Sequence, residues 1–160
     1  MAEKKKVYVE TSVISNLAAR PSVNMIDAAH QLVTRQWWEG DRSQYDLFVS
    51  ELVVEEAQRG DEEAAAKRMS VLSGLPVLVI TNAMRKLAAC LLETTAVPPK
   101  SYEDAVHIAV ATVNRMDYLL TWNCRHIANA STMPKIIATC EALNLKCPII
   151  CTPEQMKGGS

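Results

Sequence analysis

The chain has 160 residues, of which 49% are hydrophobic and 22% are charged, and these values are typical of one globular domain with a single core. A formal net charge of −1 excludes a strong overall positive field, so any nucleic-acid binding must depend on a local patch or on bound cations. No apolar run approaches the roughly 20 residues that span a bilayer, and the apolar run after Lys6 is too short for a signal peptide.

Strand-like and helix-like segments alternate along the whole chain. The predicted strands are 6–9, 45–50, 77–80, 118–121 and 148–151, and the predicted helices are 11–19, 23–39, 51–58, 61–73, 81–96, 101–113 and 134–145. Alternation of this kind predicts an α/β fold, a three-layer α/β/α sandwich with a central parallel sheet. We expect one domain over residues 1–156, followed by a loose tail over residues 157–160.

The helix predicted over residues 101–113 has almost no polar face, which indicates that it is buried. Asp104 lies in its first turn, where the helix dipole favours a negative charge. The next segment, 118–121, is a short apolar run typical of a strand that is buried on both faces. An acidic residue beside such a strand suggests a functional role for Asp104.

Sites in parallel sheets form at the carboxyl ends of the strands, and this rule sorts the acidic residues. Glu10 directly follows the first predicted strand, and Asn123 follows the fourth strand by two residues. Asp117 precedes the fourth strand, and four extended residues place it about 13 Å away, at the opposite edge. We therefore expect Glu10 and Asn123 to share an edge, and we exclude Asp117.

The helix after the second strand offers Glu51, Glu55 and Glu56. Residues three or four apart are neighbours on a helix, so Glu56 shares the apolar stripe of Leu52 and Val53. Glu55 lies beside Glu51 on the solvated side. Glu56 is therefore the inward candidate, although spacing alone leaves open that all three are surface charges.

The histidines and cysteines show no spacing typical of a metal site. We interpret His107, on the buried helix, as a hydrogen-bonded core residue, and His30 and His126 have no companion at ligand spacing. Five cysteines, an odd number without a Cys-x-x-Cys pair, favour reduced thiols and a cytoplasmic location. The Trp37-Trp38 pair either fills the core or contributes to a subunit contact.

Three carboxylates at one edge repel one another unless a proton or a cation lies among them. We predict that Glu10, Glu56 and Asp104 are metal ligands. Oxygen ligands without thiolates suit Mg²⁺ or Mn²⁺, ions that also bind substrate phosphates. The chemistry that follows is metal-assisted hydrolysis of a phosphodiester.

Four stretches of the chain resemble the PIN-domain family, and within it the VapC-type toxins of toxin–antitoxin pairs. They are Y-V-E-T-S at 8–12, F-V-S-E-L-V-V-E-E-A at 48–57, D-A-V-H-I-A-V-A at 104–111 and D-Y-L-L-T-W-N-C-R-H at 117–126. The family's four site positions fall on Glu10, Glu56, Asp104 and Asn123. Glu10 replaces the usual Asp, and Asn123 lacks the charge of the usual acid, which should weaken a second metal site.

The resemblance implies a PIN-like fold, Mg²⁺-dependent endoribonuclease activity on RNA, a homodimer and a small antitoxin partner. The predicted function is therefore a metal-dependent endoribonuclease whose catalytic residues are Glu10, Glu56, Asp104 and Asn123. The alternative is a catalytically weakened PIN domain that binds RNA or a protein without cleavage. A receiver-like phosphoacceptor domain is disfavoured because no Lys closely follows Thr121.

Overall fold

The computed structural model describes residues 2–156, in which five strands form one parallel sheet with the order β3-β2-β1-β4-β5. The strands are β1 Lys5–Val9, β2 Tyr45–Ser50, β3 Val77–Leu78, β4 Tyr118–Leu120 and β5 Ile149–Cys151. The helices are α1 Thr11–Ala18, α2 Met25–Gly40, α3 Glu51–Ala57, α4 Glu62–Leu72, α5 Asn82–Glu93, α6 Tyr102–Val113 and α7 Met133–Ala142. The tail predicted over residues 157–160 lies outside the described residues. A helix long and apolar enough to cross a membrane is absent from residues 2–156.

Strand β1 lies at the centre of the sheet, between β2 and β4, and all pairings are parallel. Val7 is paired with Leu47 on one side and with Tyr118 on the other. Consecutive side chains of a strand point to opposite faces, and Val7, Tyr8 and Val9 are all fully buried, so helices cover both faces. The predicted α/β sandwich with a central parallel sheet is confirmed.

The strand order also fixes where a site can form. From β1 the chain adds β2 and β3 on one side, and then returns to add β4 and β5 on the other side. Ligand sites in open parallel sheets lie at such a switch point, outside the carboxyl ends of the two strands where the order reverses. Here that position is the end of β1 and β4.

Helix α6 is buried along eight consecutive residues, Ala105–Thr112, as its apolar sequence predicts. Helix α5 packs against it. Trp37 is fully buried in the core, whereas Trp38 is half-buried with the guanidinium of Arg42 3.8 Å from its ring centroid. The pair therefore contributes one core residue and one residue near the surface.

Several predictions about element ends are wrong. β3 stops at Leu78 instead of residue 80, because its partner β2 ends at Ser50 opposite Leu78 and no strand remains to pair with. α5 ends at Glu93, three residues before the predicted end. The N-cap of α1 is Glu10 instead of Thr11 or Ser12, because the Glu10 carboxylate accepts from the Ser12 backbone N–H at 3.1 Å. By contrast, Asp61 caps α4 as predicted.

Candidate active site

A group of polar side chains lies at the switch point of the sheet. Glu10 follows β1 directly, and its backbone N–H donates to the Leu120 carbonyl of β4 at 3.0 Å. Thr121 follows β4, so Glu10 and Thr121 lie side by side at the carboxyl edge. Glu56 on α3 and His107 on α6 reach the same place, with His107 Nε2 4.0 Å from Glu10 Oε2 and 2.6 Å from Glu56 Oε1.

The Glu10 carboxylate is buried and held by three donors. Its Oε1 accepts hydrogen bonds from the hydroxyls of Ser12 and Thr121, both at 2.5 Å. Its Oε2 accepts from the backbone N–H of Ser12 at 3.1 Å. The side chain is only 7% exposed, so these bonds satisfy a carboxylate that has lost most of its water. Glu10 therefore has a fixed orientation.

Glu56 faces the interior, as its place on the apolar stripe of α3 predicts. Its side chain is 19% exposed, whereas that of the neighbouring Glu55 is 67% exposed. The Thr11 hydroxyl donates to Glu56 Oε1 at 2.6 Å, and His107 Nε2 contacts the same oxygen at 2.6 Å. Thr11 and His107 therefore hold Glu56 beside Glu10.

The other nitrogen of the His107 ring is also occupied. Nδ1 lies 2.7 Å from the Tyr8 hydroxyl, and that hydroxyl lies 2.8 Å from Ser50 Oγ. Ser50 Oγ in turn accepts from the Val53 backbone N–H at 3.3 Å, which caps α3. Burial raises the pKa of Tyr8 well above its ordinary value, so the phenol keeps its proton. The His107 ring is held at both nitrogens.

Glu56 and His107 shift each other's titration. Burial alone raises the pKa of Glu56, but the hydrogen bond and charge of His107, with the hydrogen bond from Thr11, lower it to about 2. Burial alone lowers the pKa of His107, but the hydrogen bond to Glu56 and the charges of Glu10, Glu56 and Asp104 outweigh it and raise that pKa. The two groups therefore form an ion pair in which His107 is fully buried and Glu56 is partly buried.

Asp104 forms a second cluster with Asn123 and His126. Asp104 Oδ1 accepts from Asn123 Nδ2 at 3.1 Å, and Asp104 Oδ2 lies 3.0 Å from His126 Nδ1. Asn123 Oδ1 accepts from the His126 backbone N–H at 3.0 Å. The Asn123 backbone N–H donates to Thr121 Oγ1 at 2.9 Å, which links this cluster to Glu10. Both ends of the Asn123 amide are therefore in use.

The residues of the first cluster fit a divalent cation. In the part of the chain that the structure describes, the ligand atoms of Glu10, Glu56 and His107 all lie within 4.8 Å of one another. Two carboxylates and one imidazole are donors that divalent metal ions accept. Asp104 is absent from this set, although its charge acts on His107. Of the three predicted ligands, the structure thus gathers Glu10 and Glu56 at ligand distance, with Asp104 in the adjoining cluster.

Two residues of the site were not among the predicted site residues. His107 is buried and hydrogen-bonded, as predicted, but it also belongs to the group that fits a cation. The sequence feature that could have identified His107 is its position three residues after Asp104, on the same face of α6. His126 contacts Asp104. The sequence feature that could have identified it is its position three residues after Asn123 in the same loop.

Asp117 lies at the other edge of the sheet, as predicted from its place before β4. Its Oδ2 accepts from the Lys6 backbone N–H at 2.8 Å, and its Oδ1 lies 3.9 Å from Lys5 Nζ. Lys5 and Lys6 open β1, whereas Glu10 follows its end. The predicted position of Asp117 at the opposite edge of the sheet is confirmed.

An open cleft of about 660 Å³ borders the site. Ser12, which donates to Glu10, also lines this cleft, and Trp122, the residue before Asn123, forms part of its wall. The Trp122 ring stacks on His30 of α2 with 3.9 Å between the ring centroids. Arg20 adds a positive charge to the lining and also lies 3.6 Å from Glu63, and Asp27 adds a negative charge. The cleft therefore combines polar, aromatic and cationic groups next to the acidic residues.

Comparisons with known proteins agree with the observed fold. The family model of the PIN domain matches residues 7–126. The structure is similar to that of VapC20 from Mycobacterium tuberculosis, a toxin that cleaves the sarcin-ricin loop, with a TM-score of 0.53, 18% identity and coverage of 71% of this chain and 86% of that chain. It is also similar to VapBC2 from Rickettsia felis, solved bound to a DNA fragment from its promoter, with a TM-score of 0.60, 13% identity and coverage of 92% and 98%. No curated protein matches the sequence.

Proposed function

Because the chain belongs to the PIN domain family, we propose that it is a metal-dependent endoribonuclease and the toxin of a toxin–antitoxin pair. The observation that carries this proposal is the meeting of Glu10 and Glu56, 46 positions apart in sequence, with His107 at the switch point of the sheet. The likeness to VapC20, which cleaves RNA of the sarcin-ricin loop, supports RNA as the substrate class.

We propose Glu10, Glu56 and Asp104 as ligands of Mg²⁺ or Mn²⁺, and Glu10, Glu56, Asp104 and Asn123 as the catalytic residues. When bound, such a cation polarises a water molecule and offsets negative charge on the scissile phosphate. The protein's own contribution is to hold each carboxylate in place before substrate arrives. Ser12 and Thr121 orient Glu10, Thr11 and His107 orient Glu56, and Asn123 and His126 orient Asp104.

The cleft beside Glu10 supports an RNA strand as the ligand. An endonuclease must hold nucleotides on either side of the cleaved bond, and single-stranded RNA is bound by aromatic rings, hydrogen-bonding side chains and cations. Trp122, His30 and Arg20 supply those groups next to Ser12. This position provides a route for the strand past the acidic residues.

A second function is supported by the state of Asn123. Its side chain is uncharged, its oxygen accepts from the His126 N–H and its nitrogen donates to Asp104. A second cation at this position would therefore gain no charged ligand from Asn123 and would have the Asp104 carboxylate beside it. The alternative proposal is a catalytically weakened PIN domain that binds RNA or a protein partner without cleaving the strand.

Cleavage of single-stranded RNA by the purified chain separates the two proposals. We expect wild-type protein to cut RNA in Mg²⁺ or Mn²⁺ and to stop in excess chelator. Asp104→Asn and Glu56→Gln should lose cleavage, whereas Glu55→Gln, an exposed carboxylate one residue from Glu56, should keep it. Equal cleavage by wild-type protein, Asp104→Asn and Glu56→Gln would assign the activity to a contaminant and refute the enzyme proposal. RNA binding without cleavage by any of the proteins would support the alternative.

The proposed partners are a small antitoxin protein and a second copy of the chain. The Rickettsia felis structure contains a VapBC pair, which supports the antitoxin. A short reading frame overlapping the upstream side of this gene, and a complex with its product that inhibits cleavage, are the expected observations. Light scattering of the purified chain tests the homodimer, and we propose a cytoplasmic location for the complex.

A further inference from the structure

We propose that His107 is a nitrogen ligand of the ion held by Glu10 and Glu56, and that it makes this site prefer Mn²⁺ to Mg²⁺. This inference rests on the proposed function only in that the site binds a divalent cation. It does not require that RNA is cleaved. An all-oxygen ligand set of Glu10, Glu56 and Asp104 would not discriminate between Mg²⁺ and Mn²⁺.

His107 Nε2 lies close to both carboxylates. This atom lies 2.6 Å from Glu56 Oε1 and 4.0 Å from Glu10 Oε2, and the residue is fully buried. Ligand atoms around one ion with bonds near 2.1 Å lie about 3 to 4 Å apart, so small side-chain adjustments suffice. A cation bound by both carboxylates is therefore within reach of this nitrogen.

The Tyr8 hydroxyl lies behind the His107 ring and contacts its Nδ1. A metal-binding imidazole needs a free lone pair on one nitrogen and a hydrogen-bond acceptor for the N–H of the other. The Tyr8 hydroxyl lies 2.7 Å from Nδ1 and can accept from it, while donating its own proton to Ser50 Oγ at 2.8 Å. An ion between the two carboxylates would replace the proton that Nε2 shares with Glu56, and Nε2 would then present its lone pair to the ion. Tyr8 accommodates this tautomer without losing a partner.

The donor atoms of the site also distinguish Mn²⁺ from Mg²⁺. Mg²⁺ is bound mainly by oxygen and by water, whereas first-row transition ions accept imidazole nitrogen readily. Mn²⁺ is the weakest binder of that series, so a preference for Mn²⁺ over Mg²⁺ is a conservative test. The buried nitrogen of His107 therefore separates two ions that carboxylates alone bind in similar ways.

The test uses the full chain, stripped of metal, without RNA. Electron spin-echo envelope modulation spectroscopy of bound Mn²⁺ detects a directly bound imidazole through its ¹⁴N coupling. We expect this coupling in the wild-type protein and in His126→Gln, the matched control, because His126 binds Asp104 in the adjoining cluster. In His107→Gln the coupling should disappear, and Mn²⁺ affinity by calorimetry should fall by about 10- to 100-fold with little change for Mg²⁺.

Each outcome decides the inference separately from the proposed function. Absence of ¹⁴N coupling in the wild-type protein, or its loss in His126→Gln, would overturn the assignment of His107. Equal losses of Mn²⁺ and Mg²⁺ affinity in His107→Gln would show that His107 only positions Glu56. If His107→Gln does not fold, the wild-type and His126→Gln spectra still decide, because His30 stacks on Trp122 in the neighbouring cleft. Coupling without RNA cleavage would keep this inference and refute the enzyme.

Discussion

Replacing Glu56 with Gln should destabilise the metal-free protein, although Glu56 lies beside another carboxylate. Repulsion between Glu10 and Glu56 predicts the opposite result, since removing one charge would then relieve the site. The hydrogen bonds from His107 and Thr11 decide the sign, because together with the charge of His107 they lower the pKa of Glu56 from 4.5 to about 2 despite burial. A lowered pKa means that folding favours the charged form of Glu56.

The magnitude follows from that pKa. Since a tenfold change in an equilibrium constant is about 1.4 kcal/mol, a fall from 4.5 to about 2 corresponds to on the order of 3 kcal/mol. The Glu56 contribution is present above pH 4.5 and is lost as the pH falls toward 2. The His107 contribution is fully present below its unfolded value of 6.5 and is lost as the pH rises through its raised pKa. The pair is therefore most stabilising between pH 4.5 and 6.5.

Thermal unfolding followed by circular dichroism in excess chelator measures this effect. For a chain of this size about 3 kcal/mol corresponds to roughly 6–12 °C, so Glu56→Gln should melt lower than the wild-type protein by about that amount at pH 5.5. The difference should shrink as the pH rises through the raised pKa of His107. Glu55→Gln, whose side chain is 67% exposed, should change the melting temperature by no more than about 3 °C. A Glu56→Gln protein as stable as Glu55→Gln at pH 5.5 would refute the reasoning.

Three further substitutions test other parts of the site. Tyr8→Phe removes the hydroxyl beside His107 and should cost about 1–3 kcal/mol of unfolding free energy in urea titration, because buried polar atoms lose a partner; an unchanged midpoint contradicts this. Ser12→Ala removes one donor to Glu10 and should lower the RNA cleavage rate by about tenfold or more. An unchanged rate would contradict this role of Ser12. Asp117→Asn should leave the cleavage rate at the wild-type value, since Asp117 lies at the opposite edge; a loss would place it in the site.

Most of the fold is predictable because local signals agree with the global architecture. The apolar run over residues 6–9 is too short and too β-branched for a helix, and it forms the central strand. The all-apolar face of α6 predicts its burial. The end of β3 was not predictable, because it depends on where the partner strand β2 stops, and no residue of β3 itself encodes that.

The site is predictable in part for similar reasons. Glu10 follows from strand direction and Glu56 from helical spacing, and both arguments need only local geometry. The roles of His107 and Tyr8 depend on a contact between residues 99 positions apart, which no periodicity indicates. The amide of Asn123 is likewise directed by His126 and Asp104, so its lack of a free end is visible only in three dimensions.

The junction between β1 and α1 consists of Glu10 alone, since the strand ends at Val9 and the helix begins at Thr11. Glu10 directly follows the last residue of β1. Its carboxylate caps α1 and also lies close to Glu56. Inserting or deleting one amino acid here would turn α1 by about 100° relative to the sheet and carry Ser12 away from its partner. The length of this connection is therefore constrained to one residue, just as the residue type is constrained by its hydrogen bonds.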